Sequence, residues 1–174
     1  MPIILRFRDL NIPLGETISR HSRIISERGH VWWGWIRRQR EEFPSKFFAT
    51  VATSCHAGSP MPIWLYDSGV HQLHSARLAR IWAAPGGPPL PSPETRYTPT
   101  YMSEAILSAW FKLVMIDEKP IQAGQMTIEE FPTLQAQTLG DHDQGLMNKT
   151  FDDLSILRHS EATLWKGTAT GQSQ

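Results

Sequence analysis

Val31-Trp32-Trp33-Gly34-Trp35-Ile36 places three of the seven tryptophans of this chain in six residues around one glycine. In an extended strand successive side chains point to opposite faces. Val31, Trp33 and Trp35 therefore share one face, and Trp32, Gly34 and Ile36 the other. One role for such a segment is a central strand that buries aromatic mass on both faces. A second follows from Gly34, whose missing side chain leaves a gap beside two indoles where a flat ligand such as a nucleobase could stack. The strand by itself leaves both roles open.

The flanking sequence supplies partners for this strand. Ile3-Ile4-Leu5-Arg6-Phe7-Arg8 alternates as a half-buried strand, with Ile3, Leu5 and Phe7 on one face and the arginines on the other. After the turn at Asn11 to Gly15, Thr17 is placed to cap a helix through Ile18, Ile24 and Ile25, and Gly29 to stop it. Packing of this helix against the Trp32 and Gly34 face would leave Trp33 and Trp35 for a pocket. Past Pro44 comes the apolar run Phe47 to Ala52, then a loop from Cys55 to Pro62 and the strand Ile63-Trp64-Leu65-Tyr66. Asp67-Ser68-Gly69 is a turn signal, and Val70 to Trp82 reads as the second arm of an antiparallel hairpin. A helix through Leu73, Arg77, Arg80 and Ile81 competes with that arm.

Pro85 to Pro93 has five prolines and two glycines in nine residues, which argues against helix and ladder alike and makes the segment a spacer or a lid over a site. Ser108 to Ile116 reads as a central strand. Thr127 is placed to cap a short helix at Ile128 to Phe131, Gly140 to Gly145 reads as an exposed loop, and a last element runs from Leu154 to Trp165. The expected architecture is α+β: a small mixed, mostly antiparallel curved sheet or barrel with two or three helices at its ends. It forms a single domain over 1–166, followed by a frayed tail over 167–174.

A length of 174 residues with 40% hydrophobic and 20% charged content suits one globular domain. Arg6 and Arg8 interrupt the N-terminal apolar run, and no stretch of about 18 apolar residues follows, so neither a secretion signal nor a membrane span is expected. The single Cys55 agrees with a cytoplasmic, reducing location. Formal net charge is zero, but the first 40 residues are rich in arginine and the segment after Asp117 is acidic, which allows a positive face able to hold phosphates.

Phosphate-loop, dinucleotide, zinc-protease and nucleophile-elbow signatures are missing from the sequence. Cys55-His56 are chain neighbours whose side chains point apart. Asp141, His142 and Asp143 lack a further ligand at helical spacing. Neither a metal nor a cofactor is expected, and no catalytic residue is assigned.

The order of these elements resembles the PUA-like superfamily. It comprises a strand, a helix closing on glycine, an aromatic strand, and a hairpin through Leu65-Tyr66-Asp67-Ser68-Gly69. A Pro-rich loop carrying Ser92-Pro93-Glu94 and the strand Ala109-Trp110-Phe111-Lys112-Leu113 follow. The resemblance is strongest over 3–120 and is closest to the EVE-like branch, small mixed barrels that hold a modified or flipped base. Gly29 to Ile36 and Ala109 to Ile116 are also similar to sensor modules of prokaryotic conflict and defence systems.

The resemblance implies a non-enzymatic reader of a modified or flipped nucleobase, in nucleic acid or as a free or cyclic nucleotide. Trp33 or Trp35 would stack on the base with Trp64 or Tyr66 opposite, Asp67 and Ser68 would bond its polar edge, and Arg6, Arg8, Arg37 and Arg38 would hold phosphates. Two other functions stay open. One is a protein-interaction module whose tryptophans are all core, and the other is a nucleotide hydrolase using Asp67 with His71 or His74.

Overall fold

A computed structural model describes residues 3–10, 12–37, 43–56, 58–67, 69–70, 72–121, 134–136 and 164–167. In chain order its main elements are β1 (Ile3–Phe7), α1 (Glu16–Arg28), β2 (Val31–Trp35), α2 (Ser45–His56), β3 (Met61–Asp67) and β4 (Gln72–Trp82). They are followed by β5 (Leu90–Pro91), two 3-10 turns (Thr95–Tyr97 and Thr100–Met102), β6 (Ile106–Leu107), β7 (Ala109–Ile116), β8 (Leu134–Ala136) and β9 (Leu164–Gly167). Seven strands form one mixed sheet in the order β2-β7-β4-β3-β1-β9-β8. Only β1 and β3 run parallel among its pairings of described residues.

The hairpin expected at Asp67 forms, with β3 and β4 in register from Met61 opposite Leu78 to Asp67 opposite Gln72. The rival helix over Leu73 to Ile81 does not form. As a strand this segment satisfies its backbone on both sides, against β3 and against β7, with irregular register near Leu78.

Strand parity sorts the side chains as the tryptophan segment requires. Val31, Trp33 and Trp35 join Ile3, Leu5, Ile63, Leu65, Ala76, Leu78, Phe111 and Leu113 in the main apolar core. Ile18 of α1 and Phe47, Phe48 and Val51 of α2 complete that core. Each large side chain buried there contributes about 1.5–3 kcal/mol. β1 and β2 are separated in the sheet by β3, β4 and β7, yet the Phe7 ring meets Trp33 edge-on with centroids 5.1 Å apart. The sheet must therefore curl, and side chains span the gap between β1 and β2.

The helices depart from the sequence expectations in three respects. Thr17 is not the cap of α1. Gly15 occupies that position in the left-handed conformation, and the Thr17 hydroxyl turns instead to Asp9. The expected stop is present: Gly29 has φ 90° and its N–H donates to the Ile25 carbonyl at 2.7 Å. Second, Cys55 and His56 belong to α2 and not to a loop; Cys55 is buried with its thiol 3.6 Å from the Leu78 carbonyl, and burial pushes the thiol pKa up. Third, α1 packs on the Trp33 face, where His21 lies 4.4 Å from that indole.

The opposite face is covered by the segment after the prolines, where Trp32 packs with Leu107 and Trp110. This segment also forms the ladder that its prolines argued against. Leu90 pairs with Leu107 and Pro91 with Ile106, a two-residue edge pairing short enough to tolerate the missing proline N–H. Beyond β1 the sheet continues through β9 and β8, so Gly167, expected in the tail, ends a strand. The expected helix at Thr127 to Phe131, the loop at Gly140 to Gly145 and the segment Leu154 to Leu157 lie outside the described residues.

Gly86 and Gly87 both have φ 77°, but a Cβ at Gly86 would meet nothing within 4 Å, whereas one at Gly87 would lie 2.2 Å from the Phe43 ring. Gly86→Ala should cost about 1 kcal/mol, the strain of a left-handed non-glycine residue. Gly87→Ala should cost about 1–3 kcal/mol more through overpacking. Urea unfolding of the two variants measures the difference, and equal losses would show that Phe43 yields freely.

Candidate functional site

Where the end of β1 approaches β2, the curl encloses a cavity of about 490 Å³. Its walls come from four parts of the chain. β1 and the residues after it bring Phe7 and Asp9, α1 brings Thr17 and His21 one turn apart, and β2 brings Trp33, Gly34 and Trp35. The strap, residues 90–107, brings Tyr101, Met102 and Leu107. Arg6, Arg8, Leu10 and Ile36 also line it, and Leu10 and Ile36 are exposed. At Gly34 the strap packs directly on the β2 backbone, because a Cβ there would lie 2.2 Å from Leu107 and 3.1 Å from the Trp110 ring.

The polar groups form a connected chain. The Thr17 hydroxyl donates to Asp9 Oδ1, and the Tyr101 hydroxyl lies 3.4 Å from the Thr17 oxygen. With the Thr17 proton engaged, Tyr101 is the donor in that contact. His21 Nδ1 is 2.8 Å from the Thr17 carbonyl, which can only accept, so Nδ1 carries the proton and Nε2 presents a lone pair. Burial holds the imidazole neutral and lowers its pKa to about 4. Asp9 Oδ2 and His21 Nε2 are buried without a hydrogen-bond partner among the described residues, in side chains only 8% and 1% exposed. Leaving such an acceptor unsatisfied costs about 1–3 kcal/mol, and Arg6 Nη1, a donor, is also buried in the same lining.

The structure brings together some of the residues singled out from sequence and separates others. Trp33, Trp35, Arg6 and Arg8 line the cavity, although the two indoles are only 4% and 3% exposed. Trp33 is tilted against His21, while Trp35 packs on Phe43 and Phe48. Trp64 and Tyr66 do not face them. In β3 it is Ile63 and Leu65 that point into the core, so alternation sends Trp64 and Tyr66 to the other side of the sheet. Tyr101 and Phe7 stand where that opposing wall was expected.

Asp67 is buried at the hairpin, accepting the Gly69 N–H at 2.8 Å and the Val70 N–H at 3.4 Å. Desolvation raises its pKa, against the lowering effect of the Gly69 bond. It therefore acts as a turn residue, away from the cavity lining. The hydrolase alternative paired it with His71 or His74; His74 Nδ1 is bonded to the Asp117 carbonyl at 3.0 Å. Arg37 is exposed, and its backbone N–H donates to Ser108 Oγ. Ser68, Arg38, His71 and the Asp141-His142-Asp143 cluster lie outside the described residues.

The sequence assigned none of Asp9, Thr17, His21 and Tyr101 to the site, and offered Thr17 only as a helix cap. One signal was available: His21 interrupts the apolar helical stripe of Ile18 and Ile25 at the spacing of a buried position.

The strap is tied down from the outer face. The Trp110 indole N–H donates to the Leu90 carbonyl at 3.0 Å, and the Trp32 indole N–H to Glu94 at 2.7 Å. His30 meets the same carboxylate at 2.8 Å and stacks on Tyr97 with centroids 4.0 Å apart. The Trp32 and His30 bonds hold the Glu94 carboxyl below the usual range.

A curled mixed sheet with helices against its core and a cavity between β1 and β2 defines a small α+β domain of the half-barrel kind. A scan against family models matches the Pua-like family over residues 3–172, and the chain belongs to that family. Searches of curated proteins and of solved structures returned no match. No helix among the described residues is long and apolar enough to cross a membrane.

The buried histidine predicts a pH response. Unfolded His21 titrates near 6.5 and folded His21 near 4, so between these values the unfolded chain binds the extra proton. Its effect is absent above pH 6.5 and grows as pH falls, reaching on the order of 3 kcal/mol of lost stability by pH 4. The raised Asp67 pKa acts with the opposite sign, favouring the folded state as it protonates, which makes a variant comparison necessary. His21→Gln should flatten the stability profile between pH 6.5 and 4 relative to the parent chain. Identical slopes in chemical denaturation would contradict this assignment.

Proposed function

We propose that this chain is a nucleic-acid or nucleotide-binding domain that holds one nucleobase in the cavity between β1 and β2. The family supports binding of nucleic acid at the coarse level. The observation that carries the proposal to this site is the cavity itself: aromatic walls, one small polar cluster, and arginines among the lining residues. Its volume of about 490 Å³ lies in the range of roughly 300–1,000 Å³ typical of small-molecule sites.

A base held here lies among Trp33, Phe7 and Tyr101, and each aromatic contact contributes about 1–3 kcal/mol. Because the cavity is concave and Trp33 is buried, the base enters edge first, as a flipped-out nucleotide of a strand or as a free nucleotide. In this reading Arg8, exposed and among the lining residues, meets the attached phosphate. This reading is one of binding and assigns no catalytic residue; the Thr17 hydroxyl donates a hydrogen bond to Asp9 within a buried network.

Titration with short single-stranded oligonucleotides and mononucleotides should change the tryptophan fluorescence, since Trp33 lines the cavity. A chain that binds none of them at millimolar concentration does not have this function. Arg8→Ala should weaken oligonucleotide binding and make the plot of log affinity against log salt shallower by about 0.7, the contribution of one phosphate contact in a single strand. An unchanged slope would remove Arg8 from the interface.

A further inference from the structure

We infer that the cavity selects a guanine-type base, one whose edge offers two adjacent N–H donors, to satisfy Asp9 Oδ2 and His21 Nε2. The inference rests on the base-binding reading of the site and specifies which base it takes.

The argument is one of proton bookkeeping. Asp9, Thr17, His21 and Tyr101 line the cavity as one hydrogen-bonded cluster, and the donors Arg6 and Arg8 line it as well. Tyr101 donates to Thr17, Thr17 donates to Asp9 Oδ1, and His21 donates through Nδ1 to the Thr17 carbonyl. Every proton that Asp9, Thr17, His21 and Tyr101 carry is already used, so what this cluster offers a ligand is acceptor only, with Arg6 Nη1 a buried donor in the same lining. Two such acceptors remain, and both are buried without a partner among the described residues. The neutral state of His21 makes its Nε2 an acceptor at physiological pH.

A ligand that fits must bring two donors and must not set a lone pair against either acceptor. Of the common bases only guanine has two neighbouring donors on its pairing edge, the ring N1–H and the 2-amino group. Adenine and cytosine each present one amino group beside a bare ring nitrogen, which would confront the carboxylate or the imidazole. Uracil and thymine present a single N–H flanked by carbonyl oxygens. A wrong base therefore leaves a buried acceptor unpaired or repelled, and sites of this kind discriminate strongly because the cost falls on the protein group. The same chemistry could be supplied by a free guanine nucleotide or by a guanine flipped from a strand.

The test compares ligands on the unmodified chain, so no variant has to fold. Guanosine, inosine, adenosine, cytidine and uridine monophosphates are titrated in parallel with thymine octamers carrying one central guanine, hypoxanthine or adenine. Guanine should bind most tightly, hypoxanthine, which lacks the 2-amino group, about tenfold more weakly, and the other bases about a hundredfold more weakly. Whether the mononucleotides or the octamers show this series distinguishes the two sources. Asp9→Asn, with its melting temperature checked, should lose at least tenfold of the guanine preference. Binding that ignores base identity, or a preference that survives Asp9→Asn, overturns the inference while leaving a base-binding site. Absence of binding by any nucleotide or octamer overturns the site and the inference together.

Discussion

The contact of Phe7 with Trp33 is the interaction on which the arrangement depends. These residues sit on strands that share no ladder, at positions three intervening strands apart, so only a sheet bent between β2 and β1 can bring the rings to 5.1 Å. Twist supplies the sense of the bend, and the bulky interior faces of β1 and β2 give it an apolar interior to enclose. Because the closure consists of side chains, the join is not sealed by backbone hydrogen bonds. The cavity lies along that join, with α1 packed against the same interior.

Inside the cavity the electrostatics are set by burial more than by charge pairs. His21 is neutral because desolvation outweighs both its backbone bond and the nearby Asp9 carboxylate. Asp9 receives its compensation from one hydroxyl, leaving half of its carboxylate unmet. An interior optimised for stability alone would replace such groups with apolar ones or pair them fully. Retaining two unpaired acceptors beside an open volume is a local conflict of the sort that accompanies binding sites.

Strand parity and turn chemistry were legible in the sequence. The alternation around Gly34 assigned the two faces of β2 correctly, Gly29 marked the end of α1, and Asp67 marked the hairpin. What could not be read was which faces meet. Trp64 and Tyr66 looked suited to oppose Trp33, but their parity within β3 places them on the outer side once the sheet curls. Thr17 looked like a cap because its position was clear and its partner was not: Asp9, eight residues earlier, reaches it only through the turn that follows β1. Tyr101 was hidden for the same reason, since its contact with Thr17 spans 84 residues. Two-residue pairing at Leu90–Pro91 also escaped the local rules, because an edge partner at Ile106–Leu107 is a tertiary circumstance.

Two indole N–H groups on the outer face, those of Trp32 and Trp110, anchor the strap at Glu94 and Leu90, while residues further along the same strap form one wall of the cavity. Trp32 and Trp110 also pack against Leu107, which closes on Gly34 from that side. The width of the cavity is thus gauged by residues absent from its lining, in the way a caliper is set from its handle. Divergence at Trp32, Glu94 or Trp110 would shift the strap and with it the volume of the cavity while leaving every lining side chain unchanged, so this wall can evolve from behind.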